Sequence, residues 1–155
     1  MINILLLRID NRLVHGQVGI TWTTSLGANL LVVADDISAN DKLQQELMRI
    51  TAESSGVGIR FFTIEKTIKV INKALPSQKI FLICRTPKEA RALIDGGVPI
   101  KNVNVGNMHF EKGKRQLSKK VYVNDKDLED LKYIQSKGIN VFIQDVPGDV
   151  RESIN

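Results

Sequence analysis

Between Arg8 and Trp22 the chain reads RIDNRLVHGQVGITW. Asp10, Arg12 and His15 fall within six residues, and Gly16 follows the histidine directly. A neutral imidazole is a competent nucleophile near pH 7. A carboxylate that holds one ring nitrogen leaves the other free to attack. A guanidinium offers a fixed fork of donors that fits a phosphoryl group. Gly16 removes bulk beside the ring, and Gly16 and Gln17 begin a helix whose free N–H groups and dipole favour an anion. The combination suits a histidine that carries a phosphoryl group. Plainer readings stand beside it: His15 as a polar loop residue satisfied by water or backbone, and Asp10 as the cap of its own turn. A nucleotide-binding turn fits less well. Asp35 could mimic a ribose ligand, but the loop lacks G-x-G-x-x-G spacing and nothing resembles a P-loop.

The elements that must position these residues alternate. Strands are expected at Ile2–Leu7, Asn29–Ala34, Gly58–Thr63, Lys79–Cys84, Asn102–Val105, a short Lys120–Val123, and Asn140–Ile143. Helices are expected at Gly16–Leu26, Asp41–Ser54, Ile64–Ala74, Pro87 to Asp95, and Asp125–Lys137. Gly27, Pro76, Gly96 and Gly138 supply stops, and Pro87 supplies a start. The second helix collects Leu43, Leu47, Ile50 and Thr51 on one face. Unbroken apolar strands joined by helices predict an α/β fold: an open, mainly parallel sheet of about seven strands with helices on both faces. Arg8–His15 and Gly106–Lys119 remain as long irregular segments, of a length that is often functional.

Ligands of such sheets bind beyond the carboxyl ends of the strands. That rule gathers Asp10, Asn11, Arg12 and His15 after the first strand, and Asp35 and Asp36 after the second. Arg85 and Thr86 follow the fourth, and Gly106, Asn107 and His109 follow the fifth. Thr86 either donates to a phosphate or caps the helix that opens at Pro87. Arg85 faces the same rim or meets a partner. His109 is a second group at the rim or a structural loop histidine. Trp22, Met108 and Phe110 read as packing residues.

A chain of 155 residues fits one domain, 1–155, large enough to bury about two-thirds of its unfolded surface. Its longest apolar run falls far short of the about 20 residues that span a bilayer. Met1 opens directly on a strand-like run, so no signal peptide is expected. Cys84 is the single cysteine. It cannot form an intramolecular disulfide, which fits a cytoplasmic setting. One Cys and two His are too few for a zinc site, and no metal is expected. The net charge is +5, and from Lys112 to Asn124 five basic residues occur with no acid. This run is either a solvated face or a docking surface for an acidic partner or anionic membrane. It has no interleaved aromatics, so nucleic acid is not an expected partner.

RIDNRLVHGQV closely resembles the signature of the IIB components of the mannose–fructose–sorbose–N-acetylgalactosamine branch of the bacterial sugar phosphotransferase system. GGVPIKNVNVGNMHFEKGKRQLSKKVYV is similar to that family's second conserved block, and LLVVADD, LICRTP and GINVFIQDVP fit in order around it. The resemblance covers essentially the whole chain. It implies a phosphoryl carrier that takes the group from a phosphohistidine of a IIA protein. The group then passes to a sugar entering through membrane subunits IIC and IID. His15 is then the carrier, usually at Nδ1, and Arg12 assists. Asp10 orients the ring or loop, and the Gly16 and Gln17 amides with Thr86 meet the phosphate. No cofactor is implied beyond the covalent phosphohistidine. The setting is the cytoplasm, at the inner face of the membrane. The GGVP and VGNMH segments most resemble N-acetylgalactosamine or galactosamine members; mannose, fructose and sorbose are the alternatives. From another class, a non-catalytic α/β module could bind an anionic metabolite through the Arg12–Gly16 loop.

Overall fold

Strands that are apolar on both faces need cover on both sides, and the order of elements provides it. The computed structural model describes residues 2–154. Its strands are β1 (Asn3–Asp10), β2 (Leu30–Ala34), β3 (Gly58–Phe62), β4 (Lys79–Cys84), β5 (Asn102–Asn107), β6 (Arg115–Ser118), β7 (Val121–Val123) and β8 (Asn140–Ile143). Its helices are α1 (Gly16–Leu26), α2 (Lys42–Ser54), α3 (Ile64–Val70), α4 (Pro87–Asp95) and α5 (Asp125–Ser136). Six strands form one sheet in the order β3-β2-β4-β1-β5-β8, and every pairing in it is parallel. β6 and β7 form a separate antiparallel pair.

Successive side chains of each strand point to opposite faces, so each central strand feeds two cores. Leu31, Val33, Phe81 and Ile83 pack with Trp22 of α1 and with Met48 and Ala52 of α2. Val32, Ala34, Leu82, Val103 and Val105 pack with Ala90 and Leu93 of α4 and with Leu131 and Ile134 of α5. The helix starts are capped locally. Asp41 accepts from the Gln44 N–H at 3.1 Å, Thr63 from Lys66 at 3.0 Å, and Asn124 forms a capping box with Asp127.

The expected architecture is present, with local differences: the sheet has six strands instead of about seven, because the short strand at Val121–Val123 pairs with β6 outside it. β1 continues to Asp10 instead of ending at Leu7. Arg8 and Asp10 lie two apart on one strand face, so they neutralise each other inside the sheet and the strand need not stop at the first charge. The segment 106–119 is only partly irregular. β5 runs to Asn107, and β6 turns back on β7, which is stitched to Met108 by the Tyr122 N–H. The third helix ends at Val70, and a 3-10 turn over Ile71–Lys73 finishes it before Pro76. In α2, Met48 and Ala52 are buried, whereas Leu43, Leu47 and Ile50 face solvent. Gly19 sets that rotation: a Cβ there would lie 3.3 Å from Thr51 Cγ2, so α2 leans on α1 through Thr51.

Candidate active site

β1 and β4 are neighbours, but their connections diverge. The chain leaves β1 for α1 on one face of the sheet and leaves β4 for α4 on the other. Such a divergence opens a crevice at the carboxyl ends. Here it is a cavity of about 420 Å³, walled by the loop from Asn11 to Gly16, by Arg85 after β4, and by Gln44, Leu47, Met48 and Thr51 of α2.

His15 sits at the N-cap position of α1, with its side chain 15% exposed. Its Nε2 lies 3.0 Å from Asp10 Oδ2. A carboxylate paired with a guanidinium accepts hydrogen bonds and does not donate them. Nε2 therefore carries the proton, and Nδ1 presents a lone pair. Asp10 is fully buried and serves more than the ring. Its Oδ1 accepts from the Arg12 backbone N–H at 2.8 Å, which caps the turn. Its Oδ2 also accepts from Arg8 Nε at 3.2 Å and Nη2 at 3.0 Å.

Arg8 is the residue that the sequence reading missed. It lies wholly inside the protein and donates from Nη1 to Asn104 Oδ1 at 2.7 Å and to the carbonyls of Gln144 and Asp145. Its guanidinium stands 5.5 Å from the Trp22 ring centroid, and Trp22 Nε1 donates to the same Asp145 carbonyl. Burial pulls the guanidinium below its ordinary pKa, while Asp10 and Asp145 oppose the shift. Gly106 makes room for it: a Cβ there would fall 2.1 Å from Arg8 Cζ. The signal was an Arg-x-Asp pair closing an apolar strand, which places both side chains on one face.

Arg12 is exposed at the crevice, and its guanidinium has no hydrogen bond or ion pair among the described residues. Leu13 reverses the loop with φ of 57° and anchors it by burying its side chain. Gly16 has φ of 45°, and no side chain caps the first turn of α1. The N–H groups of Gly16 and Gln17 have no acceptor within that helix, and Gly16 lines the crevice whereas Gln17 does not.

Asn11 fastens the loop to both neighbouring strands. Its N–H donates to the Asn107 carbonyl at 2.9 Å, and its side chain donates to the Arg85 carbonyl at 3.2 Å. Its Oδ1 accepts from the His109 N–H at 2.6 Å. Arg85 returns a bond from Nη1 to the Asn11 carbonyl and grips Asp35 through Nε at 3.0 Å and Nη2 at 2.8 Å. Burial alone would raise the Asp35 pKa. The Arg85 hydrogen bond, the Ser38 N–H and the attraction of the guanidinium together bring it below its ordinary value. The same pair raises Arg85.

The crevice thus gathers His15, Arg12, Gly16 and Arg85, and buried Asp10 reaches it only through its bond to His15. Thr86 is not drawn in: its hydroxyl donates to Glu89, and it makes no side-chain cap. Asn107 and His109 enter as backbone partners of Asn11; the His109 ring is 60% exposed and lies 3.7 Å from Glu111. Trp22 and Met108 are packed as expected, whereas Phe110 is exposed and stands in a T-shaped contact with Tyr122. Three of the five basic residues of the run are paired, Lys114 with Asp127, Arg115 with Asp125 and Lys120 with Asp145. Among the described residues no group of three or more His, Cys, Asp or Glu is placed to hold a metal, and no helix is long and apolar enough to cross a membrane.

Residues 4–155 match the family described as PTS system sorbose subfamily IIB component, PTS being the sugar phosphotransferase system. The chain belongs to that family. It is 70% identical over 152 residues to the N-acetylgalactosamine-specific phosphotransferase enzyme IIB component 1 of Escherichia coli K12, covering 98% of this chain and 96% of that one. The crystal structure of the Escherichia coli PTS N-acetylgalactosamine-specific IIB component 1 superposes with a TM-score of 0.97 at 69% identity, covering 99% of this chain and 100% of that one. The mannose-specific EIIAB component of Escherichia coli K12 is 34% identical over 93% of this chain, which spans only 45% of that longer protein.

Proposed function

We propose that the chain is a IIB phosphoryl carrier, a single domain over 1–155, with His15 as the covalent carrier. The observation that supports this best is the His15–Asp10 bond, which leaves Nδ1 with its lone pair at the crevice. In the first transfer Nδ1 attacks the phosphorus of a phosphohistidine on IIA. A new N–P bond forms as the donor's N–P bond breaks, and the donor imidazole keeps the electron pair. In the second, a sugar hydroxyl attacks the phosphorus and gives its proton to solvent water, while the N–P bond breaks and its pair returns to Nδ1. Such transfers demand positioning and charge stabilisation. Arg12 and the Gly16 and Gln17 amides meet the phosphoryl oxygens in both. Asp10 holds Nε2–H and so fixes the tautomer. Arg8, Asn11 and Arg85 hold Asp10 and the loop. No cofactor enters.

The sugar is N-acetylgalactosamine or galactosamine in this reading, which the 70% identity to a protein of that name supports. Mannose, fructose or sorbose would be the alternative. The partners are IIA as donor and the membrane subunits IIC and IID, which place the protein in the cytoplasm at the inner membrane face. Incubation with phosphoenolpyruvate, the general phosphotransfer proteins and IIA should give an acid-labile, base-stable adduct of about 80 Da on the wild type and none on His15→Ala. A module that only binds an anion would tolerate His15→Asn; a carrier loses all transfer.

A further inference from the structure

We propose that the phosphoryl donor docks on the outer face of α2, along an apolar stripe of Leu43, Leu47 and Ile50 that runs into the His15 crevice. The proposal rests on the carrier reading above. These positions share one helix face, and they are 72%, 60% and 61% exposed. Scattered apolar residues on a surface are ordinary, but a stripe of them marks an interaction site. Leu47 joins the stripe to the chemistry, because it lines the crevice with Arg12, His15 and Arg85. Transfer requires the donor's phosphorus about 3–3.5 Å from His15 Nδ1. The donor's own surface must then cover the rim, and α2 is one wall of it.

The flanks of the stripe say what kind of partner fits. Within α2, Lys42 and Arg49 are balanced by Glu46 and Glu53, and Arg49 lies 3.2 Å from Glu46. A charge-balanced apolar face suits another protein, whereas an anionic membrane would call for net positive charge. The relatives show why affinity is needed. The mannose protein bears the letters A and B in one chain, and the B-like part fills under half of it. A tether of that kind gives a high effective concentration without any strong interface. The Escherichia coli IIB component 1 is matched over 96% of its length, so no comparable second unit accompanies it. A carrier of that type must draw its donor by contact area, and α2 supplies it. The occupant is a protein whose phosphohistidine is ringed by apolar side chains, with the phosphoryl group meeting Arg12.

The test uses Leu43→Asp, Leu47→Asp and Ile50→Asp, with Leu75→Asp as control. Leu75 is 62% exposed but precedes β4, at the opposite end of the sheet. Initial rates of His15 phosphorylation are measured against concentration of phosphorylated IIA of the N-acetylgalactosamine system, and separately with phosphoramidate. That small donor needs no docking face. The stripe variants should raise KM for phosphorylated IIA by about tenfold or more, with kcat near wild type in Leu43→Asp and Ile50→Asp, which stand clear of the crevice. Phosphoramidate should label Leu43→Asp and Ile50→Asp like the wild type, and Leu75→Asp should be unchanged with both donors. An unchanged KM in all three stripe variants overturns the proposal. So does sedimentation showing a wild-type dimer that the stripe variants dissociate, which would assign the face to a second copy. If neither donor phosphorylates wild-type His15, the carrier reading itself fails, and the docking proposal falls with it.

Discussion

Arg12 and Arg8 are both arginines of the first motif, and they do opposite things. Arg12 is exposed and free of protein partners among the described residues, so its loss should cost chemistry and spare the fold. Arg12→Lys keeps the charge but loses the planar fork. The expected result is a transfer rate lower by about 10²-fold, the scale of a lost transition-state donor, with an unchanged melting temperature. Quenched-flow phosphorylation and thermal unfolding check the two halves. Arg8 is buried and bound on every side, so it belongs to the scaffold that sets Asp10. That His15, Arg12 and Asp10 come together was legible because they fall within six residues of one loop. Arg8 was hidden because an arginine at a strand end looks like a loop charge until the strand is seen to continue. The Glu89 partner of Thr86 was hidden for a related reason: a hydroxyl before Pro87 can meet a phosphate, a helix N–H or a carboxylate, and only packing decides.

At the scale of elements, long apolar strands and Gly- or Pro-bounded helices were readable, because burial on both faces and chain reversal leave local signatures. The β6–β7 pair was less so. β6 reads RQLS and is exposed along half its length, so no apolar pattern announces it. The rotation of α2 was also illegible, because it depends on a close approach at Gly19 of another helix. β5 makes a similar demand at Gly106. An alanine Cβ there would strike the far end of Arg8, normally a flexible group. This guanidinium cannot swing aside without losing Asp10, Asn104 and two carbonyls. Gly106→Ala should therefore cost about 1–3 kcal/mol in urea unfolding, the scale of overpacking. Transfer should fall with it, because Asp10 moves with Arg8.

The whole molecule ties β4 to β2 through Arg85 and Asp35, close to the crevice. Asp35 titrates lower in the folded chain than in the unfolded one. The unfolded state then binds more protons as pH falls, so the stabilisation is complete above the ordinary Asp value and drains away below about pH 4. Acid unfolding followed by circular dichroism should show that slope, and Asp35→Asn should flatten it. Nearby, Cys84 is fully buried, and burial, with Glu89 and Asp35, pushes its thiol well above its ordinary value. A thiol reagent should leave the native protein untouched and react once denaturant is added, which a colorimetric thiol assay reads directly.

Trp22 has one more consequence. It is the chain's single tryptophan, and its indole shares the Asp145 carbonyl with the arginine that holds Asp10. Asp10 in turn holds His15. The molecule therefore carries an intrinsic optical probe two side chains away from the His15 ring. In the proposed carrier, loading and discharge of His15 should therefore register in real time as a change of indole emission, with no label and no radioisotope, on the same sample whose unfolding that emission also reports.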